Sequence, residues 1–164
     1  MSATEKNLQE AFAGESQANR TYLAYAKQAE KEGYSQAAKL FRAAAAAETV
    51  HAHAHLRALG SVKDTAANLK AAVDGETHEF KSMYPEMIKK AQEEGQKAAE
   101  RSFQYANAVE KIHAELYQRA LERLDTMPEV DYHVCNVCGY TCEGEAPDTC
   151  PVCGAKSNSF SKVA

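Results

Sequence analysis

The sequence Glu48-Thr49-Val50-His51 has a counterpart 62 residues later (110 − 48), in Glu110-Lys111-Ile112-His113. In each segment a carboxylate precedes an imidazole by three positions, so both side chains lie on one face of a helix. Two such pairs, joined by glutamates from two other helices, form the ligand set of a dinuclear metal site in a four-helix bundle. The repeat therefore predicts a helical bundle built around two metal ions.

Length and charge limit what the chain can be. Its 164 residues suffice for one core and a small appendage, and its formal net charge is −4. Nucleic-acid binding is therefore not expected. The N-terminal residues are polar and no run of about 18 apolar residues occurs. We accordingly expect no signal peptide, no membrane association and a cytoplasmic location.

The composition changes sharply at Met127-Pro128-Glu129-Val130. Before this point, apolar residues at three-four spacing predict four helices, of which the third contains Pro85 and should bend there. After it, Cys, Gly, Pro and Ser are frequent. We therefore predict a helical domain over 1–127, a linker over 128–130 and a small metal-binding β/loop domain over 131–164. The predicted helices cover about 4–32, with Thr4 as the N-cap, then 35–59, 64–94 and 96–125.

The helical part is an internal duplication. The second halves of the repeats match at an offset of 62, whereas Gly14-Glu15 matches Gly75-Glu76 at an offset of 61. One extra residue must therefore enter the third helix or its end, around Pro85. Glu79 has no counterpart, because Ala18 stands at the matching position, and so it is a fifth carboxylate that breaks the symmetry.

Each predicted helix carries a glutamate at mid-length in its apolar stripe, where leucine would be expected. A carboxylate removed from water costs several kcal/mol unless it is paired or bound to metal. Four such residues at similar depth imply a shared cation, and a site rich in oxygen ligands with two imidazoles suits iron or manganese. The four are Glu15, Glu48, Glu76 and Glu110.

The C-terminal part contains Cys135-x-x-Cys138-Gly139 and Cys150-x-x-Cys153-Gly154. Four thiolates in a tetrahedron hold either zinc or a single iron, and these cysteines alone do not separate the two metals. The neighbouring redox-type site favours iron. The glycine after each pair should let backbone amides point at the sulfurs, and the fifth cysteine, Cys142, is interpreted as a free thiol.

The remaining polar and aromatic residues near the predicted ligands allow two interpretations. Tyr22 and Tyr84 either pack in the core or supply a phenol that hydrogen-bonds a ligand or gives a proton. His55 shares a face with His51 and is interpreted as a neighbour of the ligands rather than a ligand. His53 should point away, and no role is assigned to His78 or His133.

Together these motifs resemble the rubrerythrins over nearly the whole chain. The matching segments are Ala13-Gly14-Glu15-Ser16-Gln17-Ala18, Glu48-x-x-His51, Gly75-Glu76-x-x-Glu79, Met83-Tyr84-Pro85, Glu110-x-x-His113 and the two cysteine pairs. The resemblance implies a mainly α fold, with a ferritin-like four-helix bundle followed by a small rubredoxin-like domain. It also implies two iron ions in the bundle and one iron held by Cys135, Cys138, Cys150 and Cys153.

The function that this resemblance implies is reduction of hydrogen peroxide to water. It makes Glu15, Glu48, Glu76, Glu79, Glu110, His51 and His113 the di-iron ligands, with Glu48 and Glu110 bridging. One iron would exchange Glu79 for His51 on changing oxidation state. Electrons would come from a separate NAD(P)H-dependent reductase or rubredoxin, because the sequence shows no nucleotide-binding motif. The resemblance further implies a homodimer, in some members with exchanged helix pairs. The main alternative function is ferritin-like iron oxidation and storage; the others are an oxygen-dependent oxidase of an organic substrate and a non-enzymatic zinc-bearing scaffold.

Overall fold

The computed structural model describes residues 1–163, which divide into two compact units, Met1–Lys63 and the remainder from Asp64. The predicted mainly α fold with a small β tail is confirmed. No helix in the described part of the chain has the length and apolar character needed to cross a bilayer. The elements are α1 (Ala3–Lys31), α2 (Ser35–Ala58), α3 (Thr65–His78), a π-helical segment (Glu79–Met83), α4 (Tyr84–Glu93), α5 (Lys97–Glu122), β1 (Tyr132–Cys135), β2 (Thr141–Glu143) and β3 (Phe160–Lys162).

The first unit is a hairpin of α1 and α2. The Ser2 hydroxyl accepts the Glu5 N–H and the Glu5 carboxylate accepts the Ser2 N–H, a capping box that begins α1. The predicted cap at Thr4 was therefore wrong by two residues. At the other end Gly33 has φ of +84°, which lets the Tyr34 N–H reach back to the Ala29 carbonyl.

Small side chains let α1 and α2 approach closely. The buried residues of this unit are all alanines, namely Ala26, Ala29, Ala38, Ala45 and Ala52. A polar tie crosses the same interface, because the Asn19 amide donates to the Ala45 carbonyl at 2.6 Å and to the Thr49 hydroxyl at 2.8 Å. These hydrogen bonds fix how far the two helices are shifted along each other near Glu15 and Glu48.

The third predicted helix is interrupted. Asp64 caps α3 by accepting the Ala67 N–H, and the chain then widens into the π-helical segment before α4 begins. Pro85 stands in the first turn of α4, where its missing N–H is tolerated. The widened turn lies just before Pro85, and it holds the extra residue that the change of offset required.

The tail begins after a 3-10 turn at Leu124–Thr126, so α5 ends three residues earlier than predicted. Its antiparallel sheet has the order β2-β1-β3, with His133 paired to Cys142 on one side and Lys162 on the other. The predicted domain division at 128–130 lies between this 3-10 turn and β1, and it stays a prediction. One cysteine pair spans the end of β1, at Cys135, and the following turn, at Cys138.

Candidate metal centre

The first unit gathers Glu15 from α1 and Glu48 with His51 from α2. One donor atom from each lies within 4.8 Å of the others. Nδ1 of His51 is 2.9 Å from Oε2 of Glu48 and 4.0 Å from Oε1 of Glu15. The three-residue spacing on α2 therefore delivers a carboxylate and an imidazole to one point, and α1 adds the second carboxylate.

The second unit repeats this arrangement with Glu76 from α3 and Glu110 with His113 from α5. Nδ1 of His113 is 2.8 Å from Oε2 of Glu110 and 3.9 Å from Oε1 of Glu76. One donor atom from each again lies within 4.8 Å of the others. Each unit thus presents a Glu–Glu–His set of nearly the same geometry, as the duplication predicts.

Without a bound cation, the ionised forms of the carboxylates in the second set are disfavoured by burial and by their mutual repulsion. Burial, followed by the Glu110 charge, raises the pKa of Glu76 to about 7. Burial is also the main cause that raises the pKa of Glu110, with the Glu79 charge adding to it. Near neutral pH this set therefore holds a proton in the place where a divalent metal would bind and displace it.

These side chains are less buried than the sequence led us to expect. The side chains of Glu48, Glu76 and Glu110 are between 16% and 21% exposed, whereas His51 is 55% exposed. The reason is that two packed helices cover only one side of each apolar stripe. Within each unit, the donor sets consequently lie at a surface rather than in a closed interior.

Glu79 and the two tyrosines border the donor sets. The Glu79 charge raises the pKa of Glu76, Glu110 and Tyr84, so this carboxylate lies near the set without belonging to the three clustered donors. For Tyr84, burial is the largest cause of the raised pKa. Its ring lies 6.2 Å from that of Phe103, and Tyr22 lies 6.3 Å from Phe41 in the first unit. Each tyrosine ring packs on a phenylalanine ring, and the charges of the nearby carboxylates also raise the pKa of Tyr84.

The four paired cysteines converge in the tail. Sγ of Cys135 is 3.7 Å from Sγ of Cys153, and Sγ of Cys138 is 3.6 Å from Sγ of Cys150. A disulfide needs about 2.05 Å. A tetrahedron with metal–sulfur bonds of about 2.3 Å has edges of about 3.8 Å, so the observed separations fit four thiolates around one metal.

Backbone amides support the charged form of these sulfurs. Burial disfavours the Cys135 thiolate, but hydrogen bonds from the Cys138 and Val137 amides prevail and lower its pKa to about 7. The Tyr140 and Ala155 amides also favour the thiolates of Cys138 and Cys153, but burial outweighs them and the pKa of both thiols is raised. Gly139 has φ of +86°, a conformation that glycine adopts freely, and it turns the chain so that these amides face the sulfurs.

Two contacts were not foreseen from the sequence. Nε2 of His113 lies 3.0 Å from the Thr141 hydroxyl, although the residues are 28 positions apart. Nδ1 of His133 lies 2.6 Å from the Gly144 carbonyl and so secures the β1–β2 hairpin. No local spacing rule links either pair, since both depend on how the tail folds. Cys142 is a free thiol, in agreement with the prediction.

Comparison with known families gives two matches in chain order. The rubrerythrin family model matches residues 6–121, and the model described as the rubredoxin-like domain of rubrerythrin matches residues 133–161. Nigerythrin of Nitratidesulfovibrio vulgaris is 38% identical over 96% of this chain and 85% of its own length. Rubrerythrin-2 of Clostridium acetobutylicum is 36% identical over 93% of this chain and 92% of its own.

Solved structures of nigerythrin also match this chain. A structure of nigerythrin in a partially reduced state aligns with a TM-score of 0.61 and 34% identity, covering 99% of this chain and 88% of that one. A second nigerythrin structure, described as fully reduced and all ferrous, aligns with the same score and coverage. The donor sets described above therefore fit a di-iron carboxylate site and a four-cysteine iron site.

Proposed function

We propose a peroxidase reaction for this chain, which belongs to the rubrerythrin family of di-iron proteins with a rubredoxin-like domain. In this reaction hydrogen peroxide is reduced to two molecules of water with two electrons and two protons. The observation that supports it is the pair of Glu–Glu–His sets, in a chain that also carries four converging thiolates. The first arrangement suits two-electron chemistry on a small oxidant, and the second suits transfer of single electrons.

The two irons, when bound, supply the two electrons that break the O–O bond. The protein's own contribution is to place protons. The phenol of Tyr84 keeps its proton, since burial and the surrounding carboxylates raise its pKa. It is therefore suited to protonate a departing oxygen.

Glu79 is proposed as the mobile fifth carboxylate. It stands at the first position of the π-helical segment, where the backbone is wider than in an α-helix. The Glu79 charge raises the pKa of Glu76 and Glu110, although Glu79 is not one of the three clustered donors. A carboxylate held near the donor set but outside it can move in to bind a metal and move out again. We propose that Glu79 does so in exchange with His51.

The two Glu–Glu–His sets must come together to hold two metals side by side. Six residues, 59–64, connect α2 to α3, and fully extended they reach roughly 20 Å. A ferritin-like crossover would run the length of α2, which is 24 residues long, or about 36 Å. We therefore propose a homodimer in which helix pairs are exchanged, so that each complete site takes one set from each chain.

Mixing two inactive variants tests this exchange. One variant carries Glu48→Ala with His51→Ala, and the other carries Glu110→Ala with His113→Ala. If helices are exchanged, chains unfolded together and refolded should recover one intact site per mixed dimer, so each mixed dimer should have about half the activity of a wild-type dimer. Without exchange, every mixed dimer contains only damaged sites, and recovery should be absent.

The peroxidase reaction itself is tested with the iron-loaded full chain and a separate NAD(P)H-dependent reductase. We expect consumption of NAD(P)H to require hydrogen peroxide and to yield one water-forming turnover per nicotinamide oxidised. Glu110→Ala should abolish this turnover. Progressive accumulation of iron in a large multimeric shell, with no peroxide-dependent oxidation of NAD(P)H, would instead support the iron-storage alternative.

A further inference from the structure

The Thr141 hydroxyl stands between two hydrogen-bond partners. Its oxygen lies 3.1 Å from the Gly139 carbonyl and 3.0 Å from Nε2 of His113. A threonine hydroxyl has one proton, and a carbonyl oxygen can only accept. The proton therefore goes to Gly139, and a lone pair of the Thr141 oxygen faces the imidazole. It follows that Nε2 of His113 must be the donor in the second bond.

This assignment determines the other ring nitrogen. A neutral imidazole carries its single proton on one nitrogen only, so a proton on Nε2 leaves a lone pair on Nδ1. Nδ1 is the atom that lies 2.8 Å from Glu110 and 3.9 Å from Glu76. A lone pair that faces carboxylate oxygens is stable only with a cation or a proton between them, and this is the arrangement that a metal ligand needs.

The position of Thr141 is itself secured against α5. Arg119 of α5 forms an ion pair with Glu143 of β2 at 3.0 Å. Gly139 lies so close to α5 that an added Cβ would be 3.8 Å from the Val109 side chain. A largely apolar cavity of about 380 Å³ adjoins the bond between His113 and Thr141. Because apolar walls limit competition from water, this hydrogen bond is stronger than an exposed one.

We propose that Thr141 is a positioning residue for the metal site, which holds His113 in the tautomer whose Nδ1 is free to bind metal. The hydroxyl belongs to the cysteine-bearing tail, whereas the imidazole belongs to the helical part. Docking of the tail on α5 therefore prepares the second donor set for metal. This inference rests on the proposed ligand role of His113 but not on the peroxidase reaction, so each can fail without the other.

The test uses Thr141→Val, which keeps the branched shape but loses the hydroxyl, and Thr141→Ser, which restores it. Thr149→Val is the matched control, because it makes the same change in the tail at an exposed site, where the hydroxyl accepts from Lys156 at 3.5 Å. For this test the full chain is prepared with one zinc in the four-cysteine site and with no metal in the bundle. Nitrogen-15 NMR of the imidazoles, at about pH 7 where the donor set still holds a proton, reports which ring nitrogen is protonated.

We expect Nε2–H for His113 in the wild type, Thr141→Ser and Thr149→Val, and Nδ1–H in Thr141→Val. Optical titration with Co²⁺ should show a dissociation constant that is about tenfold to a hundredfold larger than the wild-type value in Thr141→Val only. Thr141→Ser should recover the wild-type constant. If Thr141→Val keeps the Nε2–H tautomer and the wild-type Co²⁺ affinity, the proposal is overturned, whatever the peroxidase assay shows.

Discussion

Tyr84 donates its backbone N–H to the carbonyl of Glu79, five residues earlier, where an α-helix would use the residue four earlier. The matching part of α1 is regular α-helix, and its sequence is one residue shorter between the aligned points. The inserted residue and the carboxylate without a counterpart therefore occur in the same turn. We infer that this widened turn exists to present Glu79, since π-helical turns cost stability and are retained mainly at functional sites.

Deleting Ser82, which is exposed within the π-helical segment, should return this turn to α-helix. We expect the fold and iron content to survive, because the flanking helices keep their registration. Peroxide turnover should fall by at least about tenfold, because Glu79 is displaced from the donor set. Circular dichroism, iron analysis and the steady-state assay measure these effects. Ser82→Ala keeps the length of the segment and should behave as wild type; full activity in the deletion variant would refute a role for the turn.

Replacing Glu79 with Ala should slow peroxide turnover by roughly tenfold or more while removing little iron, since three clustered donors per set remain. Stopped-flow mixing of the reduced protein with peroxide gives the rate, and elemental analysis gives the iron. Glu86→Ala, an exposed carboxylate in the first turn of α4, is the control for loss of charge. Equal rates for Glu79→Ala and wild type would remove Glu79 from the mechanism.

Replacing Cys150 with Ser should separate the two halves of the reaction. Oxidation of the chemically reduced bundle by peroxide should continue at close to the wild-type rate, because Cys150 belongs to the tail. NAD(P)H-driven turnover should stop, because the four-thiolate site loses a ligand that is only 2% exposed. Cys142→Ser, which alters the free thiol, should leave both activities intact. Turnover that persists in Cys150→Ser would show that electrons enter elsewhere.

The raised pKa of Glu76 predicts how pH affects the metal-free bundle. Its ordinary value is 4.5 and its folded value about 7, so the folded state holds the proton more tightly than the unfolded state. The stabilisation is complete below about pH 4.5 and is lost as the pH rises through about 7. We expect a loss of about 1 to 2 kcal/mol, discounted for the partial water contact of this side chain.

Urea unfolding at several pH values measures this dependence. Glu76→Gln mimics the protonated carboxyl and should be less sensitive to pH across that window, whereas Glu5→Gln, at the exposed start of α1, should keep the slope. Adding a divalent metal should reverse the trend, since binding displaces the proton. A wild-type slope of the opposite sign would contradict the assignment of the shared proton to the donor set.

The features that could be predicted from the sequence are those that depend on a regular spacing of residues along one helix. Three-four spacing revealed the helices, and the E-x-x-H pairs revealed carboxylates and imidazoles that meet on one helix face. Matches to the two family models confirm the ferritin-like and rubredoxin-like domains, in that order. The extra residue in the third helix was also foreseen, because a change of repeat offset counts residues directly.

What the sequence did not predict depends on contacts between distant segments. Thr141 and His113 meet only because β2 lies against α5, and no spacing rule links two residues so far apart. The cap at Ser2 was missed because Thr4 is an equally good capping residue by type. The exposure of His51 was missed because periodicity reveals which face is apolar but not what covers it. The roles of the ligands and of Tyr22 remain proposals.

Anaerobic titration of the reduced, iron-loaded protein with hydrogen peroxide tests the central claim most directly. Mössbauer spectroscopy of the frozen samples follows the bundle irons and the four-cysteine iron separately. The account predicts that one peroxide oxidises one pair of bundle irons, and that Glu48→Ala and Glu110→Ala each abolish the pairwise reaction. Bundle irons that stay ferrous in excess peroxide, or that oxidise singly and independently of Glu48 and Glu110, would contradict it.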